Sequence, residues 1–459
     1  MFKKKKVTAP SLNEQHMLFS NTDLRHLIIP LVIEQLLGVT IGMADTMMVA
    51  NVGEAAVSGI SLVDSLNILL IQIFGAMATG GAVVASQYLG RKDRPNACAA
   101  AKQLIYTTTF IALAVAAFAI IGGKTLLSFI FGSIEPEVMK NAQTYFWLSA
   151  LSYPFLAIYN AGAALFRSMS NSRVSMKISM LINLINVVGN AVLIYVFHMG
   201  VAGAGIASLL SRATAAVIVM VLLGNRHNLI FIEKLFSYRF DWKMVKAILH
   251  IGVPSGLENG MFQVGKVLVS SLIARFGTVA ITANAITSNL ASFECIPGSA
   301  IGLAMITVIG RCVGAQDYEQ ARYYAKKMMK ITYIAMIAVS IFIVLLCRPI
   351  ATLYNPSAET LKLAVWCAIW HSINVCLTWP MSFALPNILR AANDVKFTMT
   401  TSIVSMWTCR IAASYLLALG MGLGLKGVWI AMTLDWMVRA ACFGWRFLSG
   451  KWEKKQLLS

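Results

Sequence analysis

Twelve apolar runs, each long enough to cross a bilayer, fill most of this chain, at about 27–50, 57–89, 97–122, 141–166, 174–197 and 201–224, then 245–275, 281–312, 321–348, 360–389, 397–420 and 426–447. A hydrocarbon core of about 30 Å is crossed by about 20 helical residues. Within it every backbone amide must find a partner inside the protein, and the runs show no strand-like alternation, so each run predicts a transmembrane α-helix. The runs divide six and six. His26, Pro30 and Glu34 recur 224 positions later as His250, Pro254 and Glu258, and GEAAVS (53–58) recurs at the same offset as GTVAIT (277–282).

The repeat continues along the chain. Gly90, Asp93, Ala97 and Lys102 match Gly314, Asp317, Ala321 and Lys326, while RSMSNSRVSM (167–176) matches RAANDVKFTM (390–399) at offset 223. Gly203, Ile206 and Ala207 match Gly427, Ile430 and Ala431. An even number of spans returns each unit to its starting side, so the two units are parallel and related by an axis along the membrane normal. The predicted fold is therefore all-α and integral to the membrane, twelve helices in two parallel six-helix repeats. Its parts are a basic tail (1–22), an N-lobe (23–224), an interfacial linker (225–244), a C-lobe (245–450) and a second tail (451–459).

Apolar residues make up 58% of the chain and charged residues 12%, with a mean hydropathy of +0.72, which excludes a soluble domain. A net charge of +19 would suggest nucleic acid in a soluble protein. Here Lys and Arg collect at span ends, where they set orientation and meet anionic headgroups, so no nucleic-acid partner is expected. KKKK (3–6), RKDR (91–94), Arg167 with Arg173 and Lys177, the 225–246 segment, Arg311 through Lys330, Arg390 with Lys396 and the C-terminus all fall on one side. The other loops hold only Lys124, Lys140, Arg275, Arg348, Lys362 and Lys426, which places both termini in the cytoplasm and the protein in the cell inner membrane.

The eight cysteines include no CxxC pair and mostly fall inside apolar runs, so they read as small core residues. The first 22 residues lack the apolar segment and cleavage site of a signal peptide. GGKT (122–125) ends like a P-loop, yet position 118 is Phe where the leading glycine belongs. No HExxH, GxSxG or metal cluster is present, so neither an ATPase nor another enzyme is expected, and no cofactor. Gly38/Gly42, Gly252/Gly256/Gly260 and Gly298/Gly302 suit close helix packing. Pro30, Pro254 and Pro297 can bend their spans.

Polar residues inside the spans carry the functional signal, because a charge at bilayer depth costs about 2.5–3.5 kcal/mol and so faces a protein interior. Helix one holds Glu34 and Asp45, which share a face roughly 16 Å apart along the axis. Asp64 lies in helix two, Asn183, Asn186 and Asn190 in helix five, and Ser208 and Arg212 in helix six. The second half offers Glu258, Gln263 and Lys266 in helix seven, Glu294 in helix eight, His371 and Asn374 in helix ten, Arg410 in helix eleven, and Asp435 with Arg439 in helix twelve. Arg410 and Asp435 are expected to form a buried structural ion pair. Lys266 is expected to pair with Glu258 or Glu294. Asp45 has no basic residue in its own helix, and a desolvated carboxylate without a counter-charge is suited to binding and releasing a proton.

MADTMMVANVG (43–53), QYLGRKD (87–93), the paired R-x-x-small-[ND]-x-[RK] loops at Arg167 and Arg390, and VAGAGIAS (201–208) together resemble the multidrug and toxic compound extrusion (MATE) family, over essentially the whole chain. The resemblance implies two lobes around a central cavity that opens alternately to each side and exports amphipathic, often cationic compounds against H⁺ or Na⁺ entry. In the DinF-like branch a helix-one Asp joins polar groups of helix five. Matched residue by residue, Asp45 takes the Asp position, Asn186 the Asn, Ser208 the helix-six hydroxyl, and Glu34 is a further candidate. Asn190 stands where many members carry a second Asp, which removes a negative charge and favours protons over Na⁺. A C-lobe site of the kind used in the NorM-like branch would draw on Glu258, Gln263 and His371, although His371 stands where an acid is usual. The partners implied are small amphipathic molecules and membrane lipid, handled by a monomer. A flippase for lipid-linked precursors or polysaccharides is the alternative; it calls for a cavity lined by Arg and Lys, and few basic residues lie at core depth.

Overall fold

A computed structural model describes residues 17–50, 52–132, 135–233 and 239–455, with the side chains of 41–47 and 50 outside the description. Among the described residues twelve helices, one of them in two pieces, follow one another: α1 (Asn21–Ala50), α2 (Glu54–Gly90), α3 (Arg94–Phe131), α4 (Pro136–Ser168), α5 (Ser172–Val196) and α6 (Gly200–Leu223) in the first half. The second half has α7 (Trp242–Ala274), α8 in two pieces (Gly277–Glu294 and Ile296–Gly314), α9 (Tyr318–Thr352), α10 (Ala358–Ala391), α11 (Val395–Gly420) and α12 (Gly424–Leu448). Among the described residues there is no strand.

The internal repeat extends to the turns. Asp93 caps α3 by accepting from the Asn96 amide at 3.2 Å, and Asp317 caps α9 by accepting from the Gln320 amide at 2.9 Å. The residue before each cap is left-handed, Lys92 at φ 61° and Gln316 at φ 58°, as are Ser170 and Asn393 at φ 62° and 68°. Equal backbone strain at equivalent positions is what two copies of one unit produce.

Pro30 and Pro254 sit inside α1 and α7, whereas Pro297 opens the second piece of α8, just after the break at Cys295. A π-turn in α10 begins at Pro380, whose missing N–H cannot close the ladder there.

Each half lends a helix to the other. α1 packs on α5 of its own half and on α8 of the second, while α7 packs on α11 of its own half and on α2 of the first. Leu24, Leu27 and Leu31 of α1 are buried in the same core as Ile301, Met305 and Ile309 of α8. On the side carrying the termini the halves close on each other through glycine: a Cβ on Gly90 would lie 2.1 Å from the Arg311 carbonyl oxygen, and one on Gly314 would lie 2.0 Å from that of Gln87. Gln87 and Arg311 are themselves repeat equivalents, so this contact is self-complementary about the axis. Gln87 Nε2 extends it across the halves, donating to the Ala391 carbonyl and to Asn393 Oδ1 at 2.9 Å each.

The segment after α6 docks on α3. Arg94 donates to the carbonyls of Leu229 (3.0 Å), Arg226 (2.9 Å) and Asn228 (2.7 Å), and Ile230 and Ile232 are buried.

Candidate functional site

Two cavities are lined by several of the polar side chains singled out by sequence. The first, of about 300 Å³, lies inside the first half between α2, α4, α5 and α6, and Val49 of α1 reaches it. Asn186 and Asn190 are four apart and so share one face of α5. Asn190 Nδ2 donates to Asn186 Oδ1 at 3.2 Å, and Asn186 Nδ2 donates to Ser208 Oγ of α6 at 3.2 Å. Three of the expected residues are thus brought into one chain of hydrogen bonds. Asp45 falls in the helical backbone of α1, but its side chain lies outside the described residues, as does position 42 of the expected Gly38/Gly42 pair.

Asp64 of α2 also lines this cavity. It accepts from Asn67 Nδ2 at 3.1 Å, and the Asn67 amide reaches Ser149 Oγ at 3.3 Å while its Oδ1 accepts from the Tyr153 hydroxyl at 2.9 Å. Arg212 of α6 donates to Ser152 Oγ at 2.6 Å. The wall therefore offers amide and hydroxyl oxygens beside a carboxylate, a donor set that can accept a proton or a small hard cation. Asn67, Ser149 and Tyr153 were not singled out from the sequence, although Asn67 stands three after Asp64, a helical neighbour.

Glu34 does not join this set. Arg167 Nη1 stands 3.4 Å from Glu34 Oε1, and Ser175 Oγ donates to Oε2 at 2.8 Å. Its repeat equivalent does the same in the second half, where Arg390 Nη2 stands 2.8 Å from Glu258 Oε1. The last turns of α4 and α10 each present an arginine to the acid of the first helix of their own half. A carboxylate held by an arginine inside the fold is tied down by its counter-charge and is a poor candidate for coupling on its own.

The proposed C-lobe set is likewise divided. Gln263 and Glu258 line a second cavity of about 550 Å³ between the halves. His371 lies elsewhere, buried between Trp429 and Trp436, with Nδ1 2.7 Å from Glu294 Oε2. Ser340 of α9 donates a short hydrogen bond to the same carboxylate. Glu294 is thereby satisfied, and Lys266 pairs with neither Glu294 nor Glu258: among the described residues it makes no ion pair or hydrogen bond. The expected Arg410–Asp435 pair is present at 3.8 Å but is the looser one. Asp435 meets Arg439, one turn on in the same helix, at 2.8 Å and accepts a short hydrogen bond from Ser405.

The second cavity is also lined by basic groups. Arg167, Lys266, Arg390 and Arg439 all reach it, beside apolar walls from Phe262, Trp379, Phe383 and Met406. Arg439 stacks on both phenylalanine rings, 5.7 Å from Phe262 and 5.4 Å from Phe383.

The chain is similar to "Uncharacterized transporter YisQ" of Bacillus subtilis, 26% identical over 93% of this chain and 94% of the relative. It is similar to "Probable multidrug resistance protein NorM" of Thermotoga maritima, 25% identical over 95% and 94%. Among solved structures, "Outward-facing conformation of a multidrug resistance MATE family transporter of the MOP superfamily" superposes with a TM-score of 0.88 at 19% identity, covering 94% of this chain and 96% of that one. The MatE family model matches residues 30–192 and then 254–416, starting and ending at the same 224-residue offset that the sequence repeats. More than half of the chain is covered, both halves separately, and the chain belongs to the MATE (MatE) family of multi-pass membrane transporters.

Proposed function

We propose that this protein is an alternating-access antiporter that exports amphipathic small molecules in exchange for protons, as a monomer in the bacterial inner membrane with both termini in the cytoplasm. Residues 23–224 and 245–450 are the moving lobes and 225–244 the tether. The structure, shut on the terminal side by the Gly90–Arg311 and Gly314–Gln87 contacts, then corresponds to a cytoplasmically closed state.

The observation that carries this reading is the hydrogen-bonded run Asn190–Asn186–Ser208 in a cavity that α1 reaches at Val49. Asp45 stands one turn before Val49, and residues four apart share a helix face. Protonating Asp45 neutralises a carboxylate of α1, and the state in which the neutral acid is better accommodated gains population by that differential affinity. With Asn190 in place of a second acid, the site carries one carboxylate fewer for a metal cation, which favours H⁺ over Na⁺. The same positions underlie the DinF-like placement, whereas the named multidrug relatives carry the name NorM.

One charge crossing 100 mV is worth about 2.3 kcal/mol, which supports a gradient of about 40-fold per charge. The test is dye transport by the purified full-length chain in proteoliposomes, with pH and Na⁺ gradients imposed separately. Export driven by the pH gradient and lost in Asp45→Asn, with folding retained, is expected. Export driven equally well in that variant would overturn the assignment.

A further inference from the structure

We propose that the cavity between the halves takes its cargo by an anionic group, a carboxylate or phosphate on an apolar body, with Lys266 as the counter-charge. The proposal rests on the antiport reading for its setting, and it replaces the expectation of a cationic cargo.

Charge at the wall is one-sided. Among the described residues three carboxylates, Glu34, Glu258 and Asp435, face the second cavity or stand behind its wall, and each already meets an arginine. Arg410 is left with the 3.8 Å contact to an Asp435 that Arg439 holds at 2.8 Å, so two arginines share one acid. Among the described residues Lys266 makes no ion pair or hydrogen bond, and its side chain is exposed and lines the cavity. Its charged neighbour is Arg410, a like charge. A cation entering here meets the Lys266 ammonium and, among the described residues, finds no carboxylate that lacks a counter-charge. Glu258 Oε2 has no hydrogen-bond donor, but its charge is already met by Arg390, whose Nε also lacks a partner.

An anion meets the opposite situation. Lys266 gains the acceptor it lacks, and an ammonium, unlike an arginine fork, accepts one from many directions, which suits varied ligands. Phe262, Phe383, Trp379 and Met406 supply flat or deformable apolar surface for the rest of the molecule. At about 550 Å³ the space is of drug size. The side chains come from α7, α10 and α11, and charge matching across these elements selects the sign of the ligand.

The test is equilibrium binding to the detergent-solubilised full-length protein at neutral pH, read by fluorescence anisotropy, with fluorescein as the carboxylate probe and ethidium as the cation. Soluble dihexanoyl phosphatidic acid competes as the phosphate-headgroup probe. Fluorescein is expected to bind more tightly than ethidium, Lys266→Met to weaken it by about tenfold or more, and Lys266→Arg to retain it. The arginine variant separates loss of charge from loss of fold. Displacement by dihexanoyl phosphatidic acid at lower concentration than by unlabelled benzoate assigns the site to a lipid headgroup, and the reverse order to a free carboxylate; both keep the proposal. Tighter binding of ethidium than of fluorescein, or fluorescein binding unchanged in Lys266→Met, overturns it. No ion gradient enters the measurement, so a failure of proton coupling leaves the result untouched and the two readings stand or fall separately.

Discussion

Arg390 in the last turn of α10 holds Glu258 of α7 at 2.8 Å, and 224 residues before Glu258, Glu34 of α1 is held at 3.4 Å by Arg167 in the last turn of α4. The two pairs are copies of one device. Each ties the first helix of a half, the one that leans on the other half, to a turn within its own half, so the helix moves with its lobe.

Removing one partner of such a buried pair leaves an uncompensated charge, at a cost of about 3–5 kcal/mol. Arg390→Ala is expected to lower the thermal unfolding midpoint in detergent clearly. Glu258→Gln combined with Arg390→Gln should recover much of the loss, because no lone charge remains. Equal midpoints for the single and double variants would show that the pair is screened and contributes little.

The glycine contact at the axis makes a second expectation. A Cβ on Gly90 cannot fit 2.1 Å from a backbone oxygen, so Gly90→Ala must part the halves on the terminal side or shift one helix. Hydrogen exchange in residues 82–90 and 307–314 should accelerate relative to the parent protein. Unchanged protection there would mean that the helices absorb the methyl locally.

Asn190→Asp restores a second acid beside Asn186 and Ser208. Oxygen-rich sites with more negative charge hold hard cations better, so Na⁺-driven dye export at fixed pH should appear or rise in this variant. Transport that stays indifferent to Na⁺ would show that the carboxylate count is not what selects the ion.

His371 and Glu294 form a structural pair in the second half, enclosed by Trp429 and Trp436. His371→Leu should destabilise by about 1–3 kcal/mol, the cost of stripping a buried acceptor of its partner. Adding Glu294→Gln should return part of that stability with proton-driven export intact. Export abolished in a folded His371→Leu protein would instead give this pair a part in coupling.

Much of the architecture was legible because it is local. Apolar runs of the right length give helices, and a repeated register gives two like halves, whatever the side chains later touch. Charge pairing is where local pattern ran out. Nine of the described helices are apolar enough to cross a membrane by length and composition; α1, α7 and α12 are not among them, and Glu258 and Lys266 interrupt α7 as Asp435 and Arg439 interrupt α12. Glu258 is met by Arg390 of another helix and Asp435 by Arg439 one turn away, a spacing visible in sequence whose rotamer was not, while Lys266 faces the cavity between the halves.

Sequence by itself determined the all-helical membrane architecture, the duplication at 224 residues, and the polar set on α5 and α6 that the fold gathers around Asn186. Tertiary structure alone decided which acid met which base: Glu34 with Arg167, Glu258 with Arg390, Glu294 with His371, and Lys266 with none among the described residues. The physical reason is one of range. Helix formation and bilayer burial are set within about 20 residues, whereas an ion pair depends on the rotation and depth of two helices far apart in the chain. Those are fixed by how all the spans pack together.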